Sequence, residues 1–157
     1  MADLSTTYMG IKLKNPLILG ASNLVTKPET IKQIEEAGIG AIVYRSLFEE
    51  QIQLENLQMD EDLSEYENRN AEMTKLFPGL EHAGPKEHLY NVKKLKNSVN
   101  VPVFASLNAI YEPTWVEYAK ELEKTGVAGL EINLYAVPGY FEVSGDSIEE
   151  KQVQIVK

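Results

Sequence analysis

Apolar and polar positions along this chain fall into a recurring order. A short run of apolar residues is followed by one or two polar residues and then by a stretch with helical spacing. The runs are Pro16 to Gly20 (PLILG), Gly40 to Tyr44 (GAIVY), Val101 to Leu107 (VPVFASL) and Val127 to Leu134 (VAGLEINL). Runs this short and this continuously apolar predict strands buried on both faces. The segments between them predict helices: Pro28 and Glu29 suit a first turn, Ile31, Ile34 and Ala37 share one face, and Gly38 is a stop. A second helix is predicted over Lys86 to Lys96, with Leu89, Val92 and Leu95 inward together with Val99 beyond it. A third begins near Pro113 and stops at Gly126. Ahead of the first run, Thr6 to Leu13 (TTYMGIKL) alternates loosely and predicts a small hairpin or cap.

The joint between helix and strand is used twice. Ile34 to Tyr44 (IEEAGIGAIVY) and Leu122 to Ile132 (LEKTGVAGLEI) share a helix end, a stopping glycine and a buried strand. Such repeated βα modules belong to an α/β barrel or to a doubly wound sheet, and the repeat alone does not choose between them.

In both architectures ligands collect at the carboxyl ends of the strands. Those ends carry Ala21 and Ser22, Arg45 and Ser46, Asn108, and Asn133. Asn108 and Asn133 occupy equivalent places after the third and fourth runs and read as the floor of a ligand site. The competing reading is that each asparagine bonds its own turn backbone. Ala21 and Ser22 let a ligand approach the backbone, and also simply suit a tight turn. Arg45 is either a site cation or half of a surface ion pair with Glu49 and Glu50.

Residues 48–85 form too long a connection for an ordinary loop, and the acidic DEDLSEYE within it reads as a solvated helix face. The two histidines, His82 and His88, have no neighbouring cysteine or acidic ligand pattern and make a poor metal site. After the fourth run, Tyr135 to Ser147 is a Gly/Pro/aromatic loop. Asp146 or Ser147 then serves as a cap for a last helix from Ile148.

Composition narrows the functions. The 157 residues suffice for one domain with a core. A net charge of −9 disfavours nucleic acid and acidic membrane surfaces, which leaves small molecules and proteins as partners. With no cysteine, thiolate catalysis, disulfides and iron–sulfur ligation are excluded. No apolar run reaches the ~18 residues of a membrane helix. The first ten residues lack a secretory pattern, so a cytoplasmic protein is expected.

Taken in order, TTYMGIKLKNPLILGAS, GAIVYRS, VPVFASLN and GLEINL resemble the dihydroorotate dehydrogenase family of FMN-dependent (β/α)8 barrels. The resemblance implies the N-terminal half of a TIM barrel, about four parallel strands with their helices, and an oxidoreductase of pyrimidine biosynthesis that converts dihydroorotate to orotate. It implies FMN held by Ala21, Ser22, Arg45, Ser46, Asn108 and Asn133, with Arg45 and Asn133 also meeting substrate. Arg45 stands where the family usually has lysine, which keeps the charge and changes the donor geometry. The family's Asn-Leu-Ser-Cys-Pro-Asn motif reads Asn133-Leu134-Tyr135-Ala136-Val137-Pro138, so the position of the catalytic base holds Ala136. Tyr135 and Ser144 from the same loop are the substitutes on offer. The later strands and their phosphate-binding loops have no counterpart, which predicts a half barrel inactive alone, with open edges that favour a homo-oligomer or a complementing C-terminal half. Two alternatives remain: a related flavin barrel acting on another carbon–carbon double bond, as in dihydropyrimidine dehydrogenase, and a non-catalytic half barrel that self-associates.

Overall fold

The computed structural model describes residues 2–49, 85–109, 112–134 and 143–157. The chain opens with a hairpin of β1 (Thr6–Tyr8) and β2 (Ile11–Leu13), in which Tyr8 lies opposite Ile11. Its two-residue turn places Met9 at φ 50° and Gly10 at φ 78°. Positive φ at both positions is the twist that joins antiparallel strands without splaying them.

The parallel sheet begins with β3 (Ile18–Leu19). A short 3-10 turn, Asn23–Thr26, leads to helix α1 (Pro28–Glu36) and back to β4 (Ala41–Val43) and β5 (Leu47–Phe48). Helix α2 (Pro85–Ser98) precedes β6 (Val103–Asn108), helix α3 (Glu112–Lys124) precedes β7 (Gly129–Ile132), and helix α4 (Gly145–Val156) follows. β3 pairs with β4, β4 and β5 both pair with β6, and β6 pairs with β7, always in parallel. Strands therefore add in sequence order toward one side. A doubly wound sheet reverses its order at a switch point, whereas a (β/α)8 barrel does not. Among the described residues, four strand positions and four helices form half of such a barrel, with the sheet open rather than closed.

The strand runs are shorter than their apolar sequences suggest, because residues such as Pro16, Val101 and Val127 lead into strands rather than pair in them. The helix stops are where expected: Gly38 has φ 95° and Gly126 φ 80°, and each is followed three residues later by the start of a strand. The last helix differs from expectation. It starts at Gly145 rather than Ile148, and its cap is Ser144, whose Oγ accepts from the Ser147 N–H at 3.3 Å.

Alternation along the strands divides the apolar residues between two faces. Ile42, Val103, Ala105 and Leu107 pack against the helices with Val92, Leu95, Trp115 and Leu122. Ala41, Val43 and Phe104 face the other way and are covered at the amino end by Leu13 of the hairpin. Tyr8 meets Phe104 edge to face, with ring centroids 5.9 Å apart. The hairpin is thus a plug beneath the inner face of the sheet. Asn15 then ties the first strand to the joint after α1, because its Nδ2 donates to the Gly38 carbonyl at 2.7 Å while its Oδ1 accepts from the Leu17 N–H at 3.0 Å.

Candidate functional site

With the amino end of the inner face plugged by apolar side chains, the polar groups gather at the carboxyl end. The strand containing β4 and β5 changes register there. Val43 lies opposite Phe104, but Leu47 lies opposite Leu107, so four residue steps on one strand match three on the other. The extra residue is a bulge in 44–46. It keeps both Tyr44 and Leu47 on the helix side and leaves Ser46 able to reach inward, where its Oγ lies 2.7 Å from Ser106 Oγ. Ser106, which is fully buried, donates in turn to Glu131 Oε1 at 2.8 Å. A line of hydroxyl, hydroxyl and carboxylate therefore crosses three adjacent strand positions just below the rim.

The asparagines lie one step above this line. Asn108 ends β6 and is buried, whereas Asn133, directly after β7, has an exposed side chain. The Asn133 N–H donates to the Leu107 carbonyl at 3.0 Å, which extends the ladder so that Asn133 and Asn108 are neighbours across strands. By alternation they share the face of Glu131 and Ser106. At the end of the first strand Ala21 is exposed, and Ser22 carries a buried Oγ with no hydrogen-bond partner. A buried hydroxyl without a partner costs free energy unless something supplies one. Ser22 precedes the 3-10 turn and its side chain does not cap it.

Arg45 is half-buried and its charge acts on the helix side of the rim. His88 of α2 packs edge to face on Tyr44, with ring centroids 5.2 Å apart, and its Nε2 is buried without a partner. Burial first, and the Arg45 charge second, lower the His88 pKa from 6.5 to about 4. Burial likewise raises Tyr44, against an opposing pull from Arg45. His88 is a neutral packing residue here. At the same rim, Glu49 is buried and accepts from Thr114 Oγ1 at 3.1 Å, in the first turn of α3, where the helix dipole favours a carboxylate.

Of the residues expected at a site, Ser46, Asn108 and Asn133 are brought to one edge of the inner face. Ser144 is engaged as a helix cap. Tyr135, Ala136, His82 and the acidic segment lie outside the described residues. Ser106 and Glu131 are the polar participants that strand patterns alone passed over. Their signal was present as a polar residue inside each of two apolar runs, at the parity of Asn108 and Asn133. Among the described residues no group of three or more His, Asp or Glu side chains is arranged to hold a metal ion, and no helix is long and apolar enough to cross a membrane.

The catalytic subunit of dihydroorotate dehydrogenase B (NAD(+)) from Thermoplasma volcanium is 29% identical over 135 residues, covering 85% of this chain and 42% of the relative. Over this shared part the chain is similar to dihydroorotate dehydrogenases. The corresponding subunit from Thermoplasma acidophilum is 28% identical over 134 residues, with the same coverage of 85% and 42%. No family model matches the chain. The chain spans about 42% of the length of these relatives.

Proposed function

We propose that this chain provides the first half of an FMN-dependent oxidoreductase barrel that oxidises dihydroorotate to orotate in pyrimidine biosynthesis in the cytoplasm. The remainder of the barrel is supplied by further chain, a complementing half or a second copy. The observation that carries the reading is the set of polar groups on the inner face at the carboxyl ends of the strands, in a chain similar to two dihydroorotate dehydrogenase catalytic subunits. The fit of a flavin ring to these residues is supported by the Ser22 Oγ, which is buried and lacks a partner. In this reading Ala21 and Ser22 lie against the ring, and Ser46, Asn108 and Asn133 meet its polar edge. Arg45 contributes a fixed positive charge. Bound FMN would supply the two-electron acceptor that the protein's own side chains lack.

The chain's residues bind and orient. Asn133 offers an amide donor and an acceptor to a planar substrate edge, and Arg45 offers only donors. A cation held near the ring favours the electron-rich reduced state. Removal of the substrate proton needs a base; alanine at position 136 cannot be one, so in this reading the proton goes to Tyr135 of the same loop, since Ser144 is engaged as a helix cap. That alanine favours, as a second reading, the reduction or oxidation of a different carbon–carbon bond on a related ring.

The test is to purify the protein and titrate it with FMN, following quenching of flavin fluorescence, and then to assay dihydroorotate oxidation with the barrel completed. Saturable binding with orotate formation is expected. Binding without orotate formation would favour the second reading, and no binding even in a completed barrel would refute a flavin site.

A further inference from the structure

The hydrogen bonds of the inner face have a direction that follows from the chemistry of their far end. Glu131 offers carboxylate oxygens, which only accept. Ser106 therefore spends its one proton on Glu131 Oε1, at 2.8 Å. The contact of 2.7 Å between Ser46 and Ser106 could by itself run either way. With the Ser106 proton already committed, it runs from Ser46 to Ser106. Ser46 Oγ is then left with lone pairs and no proton to give.

We propose that Glu131 is a positioning residue which, through Ser106, makes Ser46 Oγ an obligatory acceptor at the rim, so that the site selects a ring edge presenting N–H. The geometry is suited to this. Ser106 is fully buried within β6, so water does not compete for its proton. The bulge in 44–46 is what brings Ser46 onto the inner face, and a strand without the extra residue would leave the Ser106 hydroxyl without this neighbour. A ligand carbonyl placed against Ser46 would meet oxygen lone pairs with no hydrogen between them. A ring nitrogen bearing hydrogen would complete the line from ligand to Ser46, Ser106 and Glu131.

The ligand class rests on the proposed flavin site, whereas the direction of the hydrogen bonds does not, and the experiment separates them. The probes are riboflavin, whose N3 carries hydrogen, and 3-methylriboflavin, whose N3 does not; neither has a phosphate. Riboflavin is expected to bind about tenfold more tightly than its methylated analogue, the difference of one buried hydrogen bond. Ser106→Ala and Glu131→Ala, which no longer hold Ser46 Oγ as an acceptor and let its proton turn to a ring carbonyl, should narrow the difference to about threefold. Ser106→Thr keeps a hydroxyl in place and should retain the preference, an outcome that mere loosening of the strand would not give. Equal binding of both probes by the unaltered protein, or a preference undiminished in Ser106→Ala, would overturn the proposal.

Binding of neither probe, in a completed barrel as well, would refute the flavin reading and the N–H selection with it. The direction is then read without ligand from hydroxyl-proton nuclear Overhauser contacts: the Ser106 proton is expected near Glu131 Hγ and the Ser46 proton near Ser106 Hβ. A Ser106 proton turned toward Ser46 would overturn the assignment of Glu131.

Discussion

Asn108 and Asn133 stand side by side on adjacent parallel strands, one buried and the other exposed, joined through the Asn133 N–H on the Leu107 carbonyl at 3.0 Å. The structural bond of Asn133 is made by its backbone, which any residue retains. Its side chain is consequently free for a ligand. Asn133→Ala should change unfolding free energy by no more than about 0.5 kcal/mol and lower substrate affinity and turnover in a completed barrel. Urea denaturation and a binding titration on the same sample check this. A large loss of stability would instead make the side chain structural.

Gly40 has no room for a side chain. A Cβ built there would lie 2.3 Å from the Asn15 carbonyl oxygen, which is backbone and held by the Asn15 clip. Gly40→Ala should therefore destabilise the protein by about 1–3 kcal/mol, whereas Gly20→Ala, with nothing within 4 Å, should be nearly neutral. Thermal melts of the two variants provide the comparison.

Leu122 is fully buried between α3 and the sheet. Truncation to alanine removes both its burial and its packing, and should cost about 2–5 kcal/mol. Val116 lies on the exposed side of the same helix, so Val116→Ala should have little effect. Denaturant midpoints measure both.

The buried imidazole of His88 makes stability depend on pH. Its pKa falls from 6.5 to about 4 on folding, so between these values the unfolded chain binds more protons than the folded one. The stabilisation is complete above about pH 6.5 and is lost as pH falls toward 4, at no more than about 1.4 kcal/mol per pH unit. His88→Phe, which cannot take a proton, should flatten the stability profile through this window. An unchanged slope would place the acid sensitivity elsewhere.

Much of the fold was legible because local rules act over a few residues. Continuous apolar runs announced the strands, the glycines at 38 and 126 announced the helix stops, and Met9-Gly10 lay at the centre of the alternating hairpin pattern. The polar residues at the strand ends were legible for the same reason, since parity along a strand fixes which side chains share a face. The last helix was misjudged by three residues at its start because Ser144, Asp146 and Ser147 all have capping chemistry, and only the backbone path decides which one faces the free N–H groups.

Tertiary structure decided what depends on partners distant in the chain. The sequential strand order, which separates a barrel half from a doubly wound sheet, exists only once strands pair. The bulge in 44–46 is a mismatch between two strands and has no counterpart in either one alone. Ser46 and Ser106 are 60 positions apart, and Ser106 and Glu131 are 25 apart. No periodicity within one strand specifies such a line, because its register is set by the packing of whole strands against helices, where a slip of one residue would exchange the two faces.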